Sequence, residues 1–270
     1  MTLNVSMRVP DGIVLASDSL TTVTQRIDQK MNVETDCKKC GDHIEIKDVA
    51  VPPMTVPSST WPYAQKVYPL QRKFGLATHG SAYVNNRSIY NHVSELTTPE
   101  DDGNGDHLDK MANFIVEHFK TQMLLEWKKG GVDANLQPDT FYPLGFQLCG
   151  FTKDSNGEPV PRTCCLQIGK SPKISNYDSI GCTVTGDTSV VCHLWAKDQP
   201  SNVDYRLFSL QDAIDYAKFL IRTTSDYQRF SGKLPTVGGE IDIALITNHR
   251  GFRWIAQKDL YHILDQEEQL

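Results

Sequence analysis

Thr2 follows the initiator Met1 in this 270-residue chain, and its chemistry sets the first question. A small second residue lets a methionine aminopeptidase expose it. An exposed N-terminal threonine carries a hydroxyl and a free α-amine on one residue, so it can attack a carbonyl carbon with its own amine as base. The run Thr2-Leu3-Asn4-Val5-Ser6-Met7-Arg8-Val9 reads as a strand, Pro10-Asp11-Gly12 as a turn, and Ile13 to Asp18 as a second strand. Proline presets the second turn position and Gly12 is free to take a positive φ as a bulge. With Val9 paired to Ile13, Asn4 opposes Asp18, and Asp18 shares a face with Thr2. A slip of one residue would reverse that face.

With these residues in place, the chain resembles the proteasome β-subunit family of N-terminal nucleophile (Ntn) hydrolases. The spacing from Thr2 to Asp18 is the family's, without a gap. Lys66-Val67-Tyr68-Pro69-Leu70 looks like its lysine before a short strand, and Phe74 to Ala82 like its next strand and glycine turn. The resemblance implies a four-layer αββα sandwich of two stacked antiparallel sheets covered by helices. It implies one domain over residues 1–270, with an insertion at about 21–63 where the family needs only a short connection. Thr2 would attack an amide carbonyl to give an acyl-enzyme that water hydrolyses. Lys66 would favour loss of the hydroxyl proton, and Asp18 would hold that ammonium charged and aimed.

The same resemblance assigns the oxyanion donor to the backbone around His79 and Gly80, with His79 where the family usually has glycine. Thr185-Gly186 stands for the family's Ser-Gly pair beside the amine. Asp226 with Ser231-Gly232 matches its later Asp and Ser-Gly. Alternatively the segment from Leu234 to Asp242 aligns there, and that Asp and Ser are absent. Val237-Gly238-Gly239-Glu240-Ile241 is closer to bacterial Anbu-type proteasome homologues than to the proteasome itself. The activity implied is threonine-type hydrolysis of peptides or proteins, with no cofactor. Further copies of the chain in a ring or spiral, and an ATP-dependent unfoldase, are the implied partners. The alternatives are a catalytically silent subunit of a proteasome-like assembly and an amidase acting on a small molecule.

Composition sets the outer bounds. Hydrophobic residues make up 39% and charged residues 22%, as in ordinary globular proteins. A net charge of −6, without a basic aromatic stripe, argues against a nucleic-acid binder. No run has the length of a membrane span or the form of a signal segment, so the cytoplasm is the expected location. Of seven cysteines, most sit in strand-like apolar text and read as reduced core thiols. Cys37-Lys38-Lys39-Cys40, with His43 nearby, is half of a zinc site, a redox pair, or a pair of loop cysteines; no second C-x-x-C completes it.

The elements that would carry these residues follow from pattern. After the first hairpin, residues 21–63 read as irregular apart from a short strand at Ile44-Glu45-Ile46. Ala82, Ile89, Val93 and Leu96 suggest one helix over 81–96, and Asp106 caps a second with a Leu108, Met111, Ile115, Phe119, Met123 stripe. Strands follow at 144–151 and 163–168 around Asn156-Gly157, and another at 179–185 leads into a helix from Gly186. Ser209 and Asp212 form a capping box for a helix buried through Leu210, Ala213, Ile214, Ala217 and Ile221. Strands at 240–247 and 252–255 and a terminal helix from Asp259 complete an α+β pattern of antiparallel strands and helix pairs.

Overall fold

Pro10 and Asp11 alone turn β1 (Leu3–Val9) into β2 (Gly12–Asp18), so the first hairpin is tighter than its sequence suggests. Val9 pairs with Gly12 and Asn4 with Ser17, which corrects the expected register by one residue. Gly12 serves the neighbouring strand instead of a bulge: a Cβ there would lie 2.9 Å from the carbonyl oxygen of Ile246. The computed structural model describes residues 2–27, 30–36, 40, 43–50, 54–97, 99, 106–195, 203–231 and 234–258.

By contacts the chain divides into two units, Met1–Thr21 with Trp61–Leu270, and Thr22–Thr60. In the smaller unit β3 (Thr21–Ile27) pairs with β6 (Met54–Trp61), and β4 (Lys30–Asp36) with β5 (His43–Ala50). The stretch expected to be irregular is therefore largely strand. Its alternation of apolar or β-branched with polar residues, as in Met31-Asn32-Val33-Glu34-Thr35, outweighs the proline content at 52–57.

The larger unit holds two five-stranded antiparallel sheets. Its further strands are β7 (Val67–Leu70), β8 (Phe74–Gly80), β9 (Tyr83–Val84), β10 (Arg87–Ser88), β11 (Leu144–Lys153), β12 (Pro159–Ile168), β13 (Lys173–Tyr177), β14 (Gly181–Gly186), β15 (Ile241–Thr247) and β16 (Gly251–Ala256). Its helices are α1 (Ile89–Ser94), α2 (His107–Lys129), α3 (Ser189–Leu194) and α4 (Leu210–Phe230). One sheet runs β14-β1-β2-β15-β16 and the other β13-β12-β11-β8-β7.

Strand alternation divides the core. Leu3, Val5, Met7, Val14 and Ala16 pack with Ala213, Ala217 and Leu220 of α4 and Val191 of α3. The other face of β2 gives Ile13 and Leu15 to a cluster with Ala244 and Ile246, and with Val67, Ala77 and Cys149 of the second sheet. The α2 stripe packs on Leu76, Leu144, Phe146, Leu148 and Leu166 of that second sheet. The fold is α+β, with antiparallel sheets and few helices.

Two local expectations change. The helix expected over 81–96 is shortened to α1, because Asn85 and Asn86 take φ of 51° and 61° and turn β9 into β10. Ser88 then caps α1 by accepting the Asn91 N–H. Gly186 does not open α3; at φ +91° it lies outside helical space. The capping box of α4 forms as its sequence signals. The terminal helix expected from Asp259 lies outside the described residues.

Candidate active site

β2 ends at Asp18, whose carboxylate is fully buried and takes four donors. Oδ1 accepts the Leu3 amide at 3.0 Å; Oδ2 accepts the amides of Leu20 and Gly238 at 3.0 Å each and Lys66 Nζ at 3.1 Å. Lys66, just ahead of β7, also donates to the Leu20 carbonyl at 2.5 Å. Burial pushes the Asp18 carboxyl up and the Lys66 ammonium down, while each charge, and the amides of Gly238 and Leu3 on Asp18, pull toward the ionised pair. Continuing the observed register sets Leu3, not Asn4, opposite Asp18. The expected shared face of Thr2 and Asp18 is thereby corrected. Asp18 reaches the start of β1 through the amide of the residue after Thr2.

Thr2 itself is buried, and its carbonyl accepts the Asp187 N–H at 2.7 Å. Gly186 makes this approach possible: any Cβ there would overlap the Thr2 carbonyl oxygen, and its φ of +91° favours glycine in any case. One step along, Thr185, Asn4, Ser17 and Asp242 stand opposite one another across β14, β1, β2 and β15. Ser17 Oγ donates to Asn4 Oδ1 at 2.7 Å. Asn4 Nδ2 lies 3.5 Å from both Thr185 Oγ1 and His79 Nδ1, and the latter two are 3.2 Å apart.

His79 is the penultimate residue of β8 and pairs with Gly145 of β11. Its ring fills the space a Gly145 side chain would need, with Cε1 and Nε2 each 2.5 Å from such a Cβ. Burial, helped by the positive amino terminus, lowers His79 to about 4, so the ring is neutral at physiological pH. Gly80 follows at φ +92°, and Ser81 N–H bonds the Pro143 carbonyl at 2.9 Å. The first three residues described thus meet two groups: Asp18 with Lys66 at Leu3, and Thr185, Gly186 and His79 around Thr2 and Asn4.

Asp226 and Ser231 join neither group. Asp226 is exposed on α4, and Ser231 caps the end of that helix by donating to the Gln228 carbonyl. The helical period explains the correction: Leu220, Ile221, Thr224 and Gln228 face inward, and Asp226 falls between the last two on the far side. Gln228 does the connecting instead. Its Oε1 accepts the amides of Thr236 at 2.8 Å and Val237 at 3.0 Å, and its Nε2 donates to Asp187 at 2.9 Å. Thr236 Oγ1 also donates to Asp187 at 2.6 Å. The segment so held continues to Gly238, whose amide binds Asp18.

Among solved structures, the Anbu (Gly-1) mutant from Hyphomicrobium sp. strain MC1 is similar to this chain. The match covers 97% of this chain and 91% of that one, at 15% identity and a TM-score of 0.47. No family model matches the chain, and no curated protein matches it. A likeness at that identity and TM-score gives no residue a role, so roles rest on the contacts above.

Residues that the sequence reading passed over are Asn4, Ser17, Asp187, Gln228, Thr236, Asp242 and Lys258. In β1, Asn4 alternates with apolar residues together with Ser6 and Arg8, which by strand period reads as a solvent face, so its burial was not legible. Lys258, just beyond β16, places Nζ on Asp242 Oδ2 and its amide 2.9 Å from Oδ1, and both side chains are fully buried. Of the C-x-x-C pair, Cys37 lies outside the described residues and Cys40 is an exposed free thiol. Cys149, Cys164 and Cys165 are buried free thiols, whereas Cys192 is exposed. Among the described residues no three of His, Cys, Asp and Glu converge as a metal-ligand set, and no helix is long and apolar enough to cross a membrane.

Proposed function

We propose that the chain is a threonine-type Ntn hydrolase of amide bonds, with peptides as its substrates and Thr2, freed by removal of Met1, as its nucleophile. One observation carries the reading: the buried Asp18 carboxylate joins Lys66 Nζ to the amide of Leu3, the residue after Thr2. A lysine and an aspartate sealed from water add little net stability, so a pair tied to the start of β1 is open to a chemical use. In this reading the ammonium acts on the Thr2 hydroxyl and lowers that group's hold on its proton.

The steps then follow. Thr2 Oγ1 attacks the carbonyl carbon as its proton passes to the α-amine, giving a tetrahedral oxyanion. Backbone N–H groups at His79 and Gly80 would hold that charge. Collapse expels the amine, which takes the proton, and water attacks the remaining ester by the same route. Thr185 acts beside the amine, and Gly186 with the Asp187 amide fixes the Thr2 carbonyl. In this reading the three apolar clusters make a four-layer αββα sandwich, and the Thr22–Thr60 unit is an insertion in it. Self-association belongs to the reading through the resemblance alone.

The test is the intact mass of purified protein before and after treatment with peptide epoxyketones, warheads that close a ring through both the hydroxyl and the free amine of an N-terminal threonine. The expected result is loss of Met1 plus one adduct, with no adduct on Thr2→Ala. A second reading, a silent subunit of a proteasome-like assembly, draws on the exposure of Asp226 and the capping role of Ser231. Retained Met1 with no adduct would select it.

A further inference from the structure

We infer that His79 is a positioning residue, locked by Ser17 and Asn4 as the Nε2–H tautomer, which commits the Thr185 hydroxyl proton to its own Nδ1. The inference rests on the proposed role of Thr185 beside the Thr2 amine.

Hydrogen-bond direction carries the argument. Ser17 Oγ is 2.7 Å from Asn4 Oδ1 and 3.2 Å from the Asp18 carbonyl, so its single proton goes to Asn4. With Oδ1 used as acceptor, the other end of the Asn4 amide is a pure donor, and it faces both His79 Nδ1 and Thr185 Oγ1 at 3.5 Å. A ring nitrogen facing a donor must present its lone pair. His79 therefore carries its proton on Nε2, and Thr185, 3.2 Å away, donates its hydroxyl proton to Nδ1.

The consequence falls on Thr185. Its proton is spent on His79, so it offers only lone pairs to any other neighbour. Toward the Thr2 amine it can act solely as an acceptor, which turns an N–H of the amine to Thr185 and leaves the amine lone pair for the nucleophile's proton. Gly145 makes room for the ring, and a Cβ at Gly186 would lie 3.5 Å from His79 Cβ. The groups facing the ring from β1, β11 and β14 are Asn4, Gly145 and Thr185, all neutral.

The first readout does not need catalysis: ring nitrogen-15 shifts of the full chain, with His79 assigned as the signal missing from His79→Asn. A bare Nδ1 and protonated Nε2 are expected at neutral pH, giving way to a tautomer mixture in Asn4→Ala. A protonated Nδ1, or a doubly protonated ring at neutral pH, would overturn the inference. The second readout is peptide hydrolysis. His79→Ala should lower kcat on the order of tenfold with KM changed less than about twofold, and His79→Asn, which keeps an acceptor near the Nδ1 position, should recover most of it. Equal losses in both variants would also overturn it. If the wild-type chain takes no epoxyketone adduct, the functional reading falls, while the ring shifts still decide the state of His79.

Discussion

Burial holds His79 to about 4 in the folded chain, whereas an unfolded histidine titrates near 6.5. Between those values the unfolded chain takes up a proton that the folded chain refuses, so acid favours unfolding. The stabilising contribution is complete above about pH 6.5 and is lost progressively as the pH falls to the folded value. By linkage that gap is worth about 3 kcal/mol at pH 4. Urea melts at neutral and acid pH should show this loss in the wild-type chain, on top of whatever the carboxylates contribute. His79→Asn has no ring to charge, and its acid loss should be smaller by about 3 kcal/mol. An unchanged difference between the two pH values would mean that the ring is accessible to protons in the folded chain.

α4 shows how much an element's sequence can and cannot tell. The capping box at Ser209 and the apolar stripe through Ile221 were both legible, because local propensity and packing agree along the helix. Which polar residues near its end touch the site depended on following the same 3.6-residue period past the last apolar position. Gln228 lies on the inward face and Asp226 does not. Replacing Gln228 by Ala leaves two buried amides, at Thr236 and Val237, without their acceptor, and should cost about 2–3 kcal/mol in a denaturant melt. Asp226→Ala should stay within about 0.5 kcal/mol and leave hydrolysis unchanged. The first hairpin failed in a different way. Its existence was plain, but the register turned on Gly12, and what Gly12 accommodates is the Ile246 carbonyl of a strand more than 200 residues away in sequence. No turn rule contains that contact. Lys66 was the one partner of Asp18 that the sequence offered; the other three donors were hidden because they are backbone amides, which sequence does not distinguish.

Among the described residues of the larger unit, two lysine–aspartate pairs are sealed inside. Asp18 and Lys66 are 48 residues apart and tie the end of β2 to the strand entering the second sheet; Asp242 and Lys258 are 16 apart and return the chain after β16 onto β15. Asp242 stands opposite Ser17, and the charges of Lys258 and Asp242 act on Lys66 in opposite senses, so the pairs are electrically balanced as a set. A buried pair of this kind adds little net stability, yet removing one member leaves its partner charged and dry. Lys258→Met should therefore destabilise the chain by about 3–5 kcal/mol. Asp242→Leu placed on top removes the orphaned carboxylate, and the double variant should return to within about 1–2 kcal/mol of the parent in the same urea melts. The two results separate the possible uses of this charge. Recovery in the double variant locates the loss in the stranded carboxylate and leaves the pair dispensable for folding. Its retention would then be explained by its effect on Lys66, read as a shift in the pH dependence of adduct formation at Thr2. If the double variant is as unstable as Lys258→Met alone, the pair is a structural staple, and the balance of charge around Lys66 is a by-product of closing the sheet.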